Sequence, residues 1–208
     1  MLMVLAAPLL TGSPAVGQSY SPAVVIARAD SALRATVGTR LHQYFAYDAH
    51  SWYAYRNRHG GHHLKPLNER RRTRERFVEG HVQLTFQHPQ YAWIQGGVTV
   101  TLDSLLRVTR LTPLSFLPAF LVEDRPCDFI SREQALAIAQ QQGLKPGMEP
   151  LTAALQYQGP EEGYNWLVNN VISKEQGARA GQLETVRIDA LSGKVVFHVT
   201  GPYGNASY

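Results

Sequence analysis

Alternation of apolar and polar residues in short segments is the feature that most constrains how this chain can fold. Apolar residues or glycine occupy every second position from Val78 to Phe86 and from Val98 to Leu102, and again at Leu106 and Val108. A period of two places one face of a strand on a core and the other in water, as in antiparallel sheets. We therefore predict antiparallel strands here, with Val108 on the core side.

A helix precedes these strands. Ser21-Pro22 is a capping residue followed by proline at the first helical position, and Gly38 is suited to end the helix. The strand-like runs Leu41–Tyr47 and Trp52–Arg56 then flank Asp48-Ala49-His50-Ser51, which is typical of a hairpin loop.

The second half repeats this plan. Ser131 and Gln134 form a capping box at the start of a helix, and Gly143 stops it. Strands are predicted at Leu151–Tyr157, Tyr164–Ile172, Leu183–Asp189 and Lys194–Thr200.

Both halves therefore consist of a helix followed by antiparallel strands, an α+β fold. Val100–Leu105 also aligns with Val186–Leu191. We predict a tandem duplication, with chance similarity of two hairpins as the alternative. The predicted domains are residues 18–125, with a basic insertion at 56–76, and residues 126–208.

Residues 1–17 are typical of an export signal. Met1 to Leu10 is almost wholly apolar, and Ala15-Val16-Gly17 offers a small-residue cleavage pattern. No Lys or Arg precedes Arg28, so the usual basic start is missing, and a buried strand is the alternative. We expect an exported chain, periplasmic or extracellular, with no transmembrane segment after cleavage.

Cys127 is the only cysteine, so no disulfide forms within the chain. It follows Glu123-Asp124-Arg125-Pro126, which is typical of a linker, and no nucleophile motif surrounds it. We expect a partly buried side chain with a filling role.

Three segments of the second half resemble the PepSY-like domains. Phe129–Ala139 resembles their opening helix, Tyr164-Asn165-Trp166 their Tyr-x-Trp strand, and Val186–Val196 their closing hairpin. The resemblance covers about residues 129–200 and implies a helix packed on a curved antiparallel sheet, a PepSY/cystatin-like arrangement in an exported protein. Some members lie in propeptides of thermolysin-like peptidases, which implies binding or inhibition of a peptidase.

The closing hairpin also has a physical basis. Asp189 is suited to accept backbone hydrogen bonds at the start of the turn, and Gly193 to adopt the left-handed conformation that closes it. Lys194 stands where the family often has an acidic residue, and the loop from Lys174 to Gly181 is longer than usual. These departures leave any shared ligand open.

The positive charge of the chain is concentrated in one segment. Residues 56–76 contain eight Lys or Arg and two acidic residues, whereas the whole chain carries +4. Such a patch attracts anionic surfaces, and after export a lipid headgroup or acidic protein is a better candidate than nucleic acid. A solvated loop with no partner is the alternative. The candidate residues for an anionic partner are Arg70, Arg71, Arg72, Arg74 and Arg76.

Two further clusters are candidate sites. His59, His62 and His63 are weak candidates for Zn²⁺ or Cu²⁺, because the neighbouring arginines repel a cation, and no metal or other cofactor is predicted. Aromatic residues of the first hairpin offer rings on which a sugar or peptide could stack, although core packing explains them equally well. The stacking candidates are Tyr44, Trp52, Tyr53 and Tyr55.

No nucleophile elbow, phosphate-binding glycine loop or Cys/His pair is present in the sequence. We therefore expect a non-enzymatic, exported binding module for a protein, a peptide or an envelope component. The first alternative is a surface protein that docks on anionic envelope material through its basic loop. The second is a metal-dependent hydrolase that uses the histidines.

Overall fold

The structure, a computed structural model, describes residues 18–57, 59–67, 73, 76–174 and 180–204. The predicted export signal lies outside these residues. Within them the fold is mixed α+β, with few helices and two antiparallel sheets, as predicted. The chain divides into a first unit, Met1–Leu84 with Val98–Thr112, and a second unit, Thr85–Gly97 with Pro113–Tyr208. The boundary predicted between residues 125 and 126 falls inside the second unit.

Helix α1 (Pro22–His42) begins as predicted, because the Ser21 side chain accepts a hydrogen bond from the Val24 N–H. Its buried stripe is Val25, Ala29 and Leu33, at helical spacing. The backbone leaves helical geometry at Gly38, where φ is +75°, but one more turn follows. Leu41 is therefore helical and buried, and the prediction that it begins a strand is wrong.

The first sheet contains β1 (Phe45–Tyr47), β2 (Trp52–Arg56), β3 (His62–Pro66), β4 (Phe77–Phe86), β5 (Gly96–Leu102) and β6 (Val108–Leu111). The strand order is β3-β2-β4-β5-β6, and β1 also pairs with β4. Alternation predicted six buried residues of β4 and β5 correctly, namely Val82, Leu84, Phe86, Val98, Val100 and Leu102. At the start of β4 the prediction is wrong, because the pairing with β2 shifts register there, and Phe77 is buried while Val78 is only half-buried. Val108 is 39% exposed instead, because the pairing of β5 with β6 shifts register beside it.

Asp48–Ser51 does not close a hairpin, which corrects the prediction, because β1 and β2 both pair with β4. The buried Ser51 hydroxyl donates to the Asp48 carbonyl at 2.7 Å and accepts from the Gln83 N–H at 2.9 Å. The Asp48 N–H donates to the Gln83 carbonyl at 2.9 Å. These bonds hold the connection between β1 and β2 against β4, where a hairpin turn was expected.

Part of the predicted basic loop is a strand. β3 pairs antiparallel with β2, and the turn between them is closed by Asn57, whose side-chain oxygen accepts from the N–H groups of His59 and Gly61 at 2.9 Å. Gly60 adopts φ +85° in this turn. All five residues of β3 are exposed, so no hydrophobic alternation marks the strand in the sequence.

The second unit contains α2 (Ala119–Val122), α3 (Arg132–Gln140), β7 (Thr152–Tyr157), β8 (Tyr164–Lys174), β9 (Gly181–Asp189) and β10 (Val195–Tyr203). The four strands form a sheet in the order β10-β9-β8-β7, which confirms the predicted strands. Ala135 and Ala139 of α3 pack on a buried layer made by Val168, Val186 and Ile188.

The turn and cap devices of this unit also agree with prediction. The Ser131 side chain accepts from the Gln134 N–H at 3.2 Å, and the Gln134 side chain accepts from the Ser131 N–H at 2.7 Å. The Asp189 carboxylate accepts from the Ser192 N–H at 2.7 Å, and Gly193 has φ +69°.

The segment before α3 differs from expectation. Helix α2 was not predicted, because Pro113 and Pro118 obscure its short apolar run, yet Phe120 and Leu121 are buried. The Cys127 thiol is exposed, which corrects the expectation of partial burial. It lies between Arg125 and Asp128, whose side chains form an exposed ion pair at 3.0 Å.

Among the described residues, no helix has both the length and the apolar content needed to cross a membrane.

The Ser131 cap offers a test of the second unit. Replacing Ser131 with Ala removes the acceptor for the Gln134 N–H, so we expect the free energy of unfolding to fall by about 1 kcal/mol. Ser131→Asp retains a capping acceptor and is expected to stay within a few tenths of a kcal/mol of the native chain. Chemical denaturation followed by circular dichroism measures both, and equal losses in the two variants would contradict the assignment.

Candidate functional site

An open groove runs beside β7 in the second unit. Its volume is about 580 Å³, within the range of roughly 300 to 1,000 Å³ common for ligand sites. One wall comes from Trp93 and Gln95, in the connection between β4 and β5, and the other from Ala154, Leu155, Gln156 and Tyr157 of β7. None of these six lining residues carries a charged side chain.

A second hollow of about 470 Å³ shares Gln95 with this groove. Its other lining residues belong to the same connection and to the adjoining ends of β4 and β5, and include Thr85, Phe86, His88, Ile94 and Gly96. The ring of Phe116 fills the space beside Gly96, where an added Cβ would lie 2.4 Å from it. Gly96 thus lets the chain pass close to this ring.

Trp93, which lines the groove, belongs to an aromatic cluster that also contains Tyr164. Their ring centroids are 5.4 Å apart in an edge-on arrangement, and Tyr157 lies 5.3 Å from Tyr164. Trp93 also contacts the rings of Tyr91, Phe120 and Phe129. Edge-on and tilted pairs of this kind stabilise packing beyond the area that they bury, so the wall that holds Trp93 is firmly placed.

Tyr164 joins this cluster to the backbone. Its hydroxyl donates to the Phe116 carbonyl at 2.7 Å, and the residue is only 6% exposed. Burial raises the pKa of Tyr164 well above its ordinary value, and the nearby Tyr157 adds to the effect. The phenol therefore stays neutral and keeps its hydrogen-bonding role over the whole physiological range.

The Tyr157 hydroxyl is buried and has no hydrogen-bond partner among the described residues. A buried polar group without a partner costs about 1 to 3 kcal/mol. The Tyr157 side chain lines the groove. The hydroxyl itself is enclosed, so it is not among the groups that the groove offers to a ligand.

A buried carboxylate lies elsewhere in this unit, in the first half of β9 and away from the end that pairs near Tyr164. Glu184 is 3% exposed and contacts His198 at 2.9 Å, the Asn170 side-chain amide at 3.0 Å and the Lys145 N–H at 3.0 Å. Asn170 also donates to the Lys145 carbonyl at 2.8 Å. The cluster therefore fastens the connection between α3 and β7 to the sheet, which is a structural role.

The predicted stacking residues lie in the first unit and do not share one exposed surface. Tyr53 and Tyr55 are 6% and 8% exposed, and Tyr53 packs against the Phe77 ring. Trp52 stacks on His81, with ring centroids 3.7 Å apart, and Tyr44 is half-buried. Ligand stacking by these residues stays a prediction.

The predicted histidines do not converge. His62 accepts a hydrogen bond from Arg56 at 3.2 Å, whereas His63 bonds to Asn57 and stacks on Tyr55. Successive strand residues face opposite sides, and His59 lies in the preceding turn. Within the described part of the chain, no three His, Cys, Asp or Glu side chains are placed to hold a metal ion.

Of the predicted anion-binding arginines, Arg70, Arg71, Arg72 and Arg74 lie outside the described residues. Arg76 has φ +63° and donates to the Asn57 carbonyl at 3.3 Å, which ties it to the turn between β2 and β3. Docking through this segment also stays a prediction.

Comparisons with models of protein families, with curated proteins and with solved structures find no match for this chain. The evidence for a site therefore comes from its own residues. Two features of the sequence could have indicated residues of the second unit that the predictions above do not include. Tyr91 and Trp93 are aromatic residues in a turn between strands, and Glu184 is a charge on the same strand face as Val186 and Ile188. The aromatic turn indicates one wall of the groove, and the charge on a core-facing strand position indicates the buried carboxylate cluster.

Glu184 gives the second unit a defined dependence on pH. Burial acts to raise the pKa of Glu184, but hydrogen bonds from His198, Asn170 and Lys145 outweigh it and hold the pKa below its ordinary value of 4.5. A carboxyl with a lowered folded-state pKa stabilises the fold above its unfolded-state value, and this stability is lost as the pH falls through the folded-state value.

We therefore expect thermal stability to fall below pH 4.5, and to fall less steeply in Glu184→Gln, which keeps the shape and cannot titrate. Glu149→Gln is the matched control, because it removes a half-exposed carboxylate of the same unit that pairs with Lys174. Melting curves across this pH range measure the effect. If the melting temperature falls equally steeply with decreasing pH in the native chain and in Glu184→Gln, the stabilising role given to the Glu184 carboxylate is contradicted.

Proposed function

We propose that this chain is an exported, non-enzymatic binding module of the PepSY-like type, whose partner is a peptidase, another protein or peptide, or an envelope component. One observation carries the proposal, namely the groove beside β7. Two of its six lining residues, Trp93 and Tyr157, belong to an aromatic cluster. None of the six carries a carboxylate, imidazole, amine or thiol that could transfer a proton or attack a substrate, and the Tyr157 phenol is buried. These features favour binding over chemistry.

The arrangement of the second unit supports the PepSY-like part of the proposal. Tyr164 and Trp166 face the same side of β8, and both side chains bond to backbone carbonyls, those of Phe116 and Ile130. The Tyr-x-Trp element thus has a physical role, since it ties two flanking segments of the unit to one strand.

A common order of elements supports the tandem arrangement. If β1 and β3 are left aside, the first unit consists of α1 followed by four strands, β2, β4, β5 and β6, that are neighbours in the sheet in chain order. The second unit likewise has α3 followed by β7, β8, β9 and β10 as neighbours in chain order. The segments Val100–Leu105 and Val186–Leu191 both fall at the end of the third strand of their series. Asp103 accepts from the Leu105 and Arg107 N–H groups at 2.9 Å, much as Asp189 accepts from Ser192.

Docking on anionic envelope material is the second candidate. The exposed strand β3 and the turn before it favour this candidate, because the described residues from Arg56 to Leu67 include Arg56 and Lys65 and no carboxylate. This attraction would be screened by salt, whereas binding in the uncharged groove would not.

A bulky charge placed in the groove tests the proposal. We expect Ala154→Arg to weaken binding at least about tenfold, or 1.4 kcal/mol, because Ala154 is exposed and lines the groove. Thr152→Arg is the matched control, since Thr152 is exposed on the same face of β7 but does not line the groove. The native chain and the two variants are immobilised, and interferometry measures how tightly each binds a thermolysin-type peptidase and isolated envelope vesicles.

Saturable binding by the native chain and Thr152→Arg, reduced in Ala154→Arg, supports the proposal. Failure of the native chain to bind either probe would contradict it. Binding that survives Ala154→Arg and disappears in high salt would favour the second candidate.

A further inference from the structure

We propose that the groove binds an extended, uncharged polypeptide segment, which adds as a new strand to the open edge of β7. This inference rests on the proposed binding function and names the chemistry of the ligand. Strand addition supplies main-chain hydrogen bonds, and pockets along the groove supply selectivity for alternate side chains.

The hydrogen-bond register determines which groups of β7 face the open edge. The Gln158 N–H donates to the Gly163 carbonyl at 2.8 Å, just beyond the pairing of Tyr157 with Tyr164. The Tyr164 carbonyl accepts instead from the Ala190 N–H at 3.0 Å, on the other side of β8.

Bonded and non-bonded pairs alternate along an antiparallel ladder. Ala154 and Gln156 therefore bond to β8, whereas Ala153, Leu155 and Tyr157 direct their N–H and C=O groups to the open edge. Two of these three residues, Leu155 and Tyr157, line the groove.

The edge of β7 lacks the features that usually prevent strand pairing. Edge strands are usually protected from pairing with another chain by charged side chains, prolines or β-bulges. The opposite edge strand, β10, has a register shift between Val195 and Phe197 and contains Pro202. In contrast, β7 pairs without a shift, and its sequence Thr-Ala-Ala-Leu-Gln-Tyr has neither a charge nor a proline. The two edges of one sheet therefore differ in the way expected if β7 receives a strand.

The facing wall favours a peptide over an apolar ligand. Trp93 presents an aromatic surface, and Gln95 presents an amide that both donates and accepts hydrogen bonds. Gln156, on β7 itself, adds a second amide. A charged side chain would find no counter-charge on any lining residue, so the ligand is uncharged where it faces the groove.

Backbone methylation of a bound peptide tests the inference. A displayed library of random short peptides is selected on the native chain and counter-selected on Ala154→Arg, and one enriched peptide is synthesised with a single N-methyl group at each position in turn. N-methylation removes one N–H donor and leaves the side chain. We expect affinity to fall at least about tenfold at alternate positions, or 1.4 kcal/mol, and to change less than about twofold at the positions between them.

A second measurement uses the protein side of the same bonds. Leu155→Pro removes one N–H at the open edge, where proline is tolerated in an edge strand. Leu155→Ala removes more of the side chain but keeps the N–H. Because Leu155 lines the groove, both variants are expected to weaken binding, and we expect the peptide to bind Leu155→Pro at least about tenfold more weakly than Leu155→Ala. Circular dichroism checks the fold of both. If Leu155→Pro does not fold, the methylation series decides.

Equal effects of methylation at all positions, no effect at any, or no enriched peptide would overturn strand addition. In each of these cases the proposed function would still stand if the peptidase or the vesicles bind the native chain more tightly than Ala154→Arg. Groove-dependent binding of envelope oligosaccharides without any peptide binding would likewise overturn the inference alone.

Discussion

Tyr164 is the residue on which the rest of the candidate site depends. Its hydroxyl holds the Phe116 carbonyl, its ring supports Trp93 and Tyr157, and its own carbonyl bonds to Ala190, away from β7. The first two contacts place Trp93 and Tyr157, which line the groove. The third directs the Tyr164 backbone away from its neighbour Tyr157, whose own amide therefore faces the open edge. One buried residue thus contributes to both the wall and the edge of the site.

The groove combines two aromatic residues, Trp93 and Tyr157, with an open strand edge and uncharged walls. Its hydrogen-bonding groups belong mainly to the backbone and to amides, which recognise an extended chain whatever its sequence. Selectivity must then arise from the few side chains that meet Trp93 and Tyr157.

Local patterns in the sequence predicted most elements of the second unit and fewer of the first. Alternation and the Ser131 cap mark α3 and the four strands, because each of these features acts over a few residues. Strand β3 is exposed on both faces, so no pattern marks it, and the Asp48–Ser51 connection depends on hydrogen bonds to Gln83, which lies far along the chain. The aromatic residues in the turn at Tyr91 and Trp93 could be seen in the sequence, but only packing brings Trp93 beside β7, so the groove itself could not be predicted. The Tyr53 and Tyr55 rings, chosen as ligand surfaces from their residue type, are buried.

Amide hydrogen exchange along β7, resolved by nuclear magnetic resonance, is the most direct test of the central claim that this edge is a binding surface. In the unbound protein the N–H groups of Ala153, Leu155 and Tyr157 should exchange rapidly, while those of Ala154 and Gln156 are protected. Addition of a peptide selected on the groove should then protect the first three. Protection of all five amides before the peptide is added, or unchanged exchange at Leu155 and Tyr157 after it binds, would contradict the account.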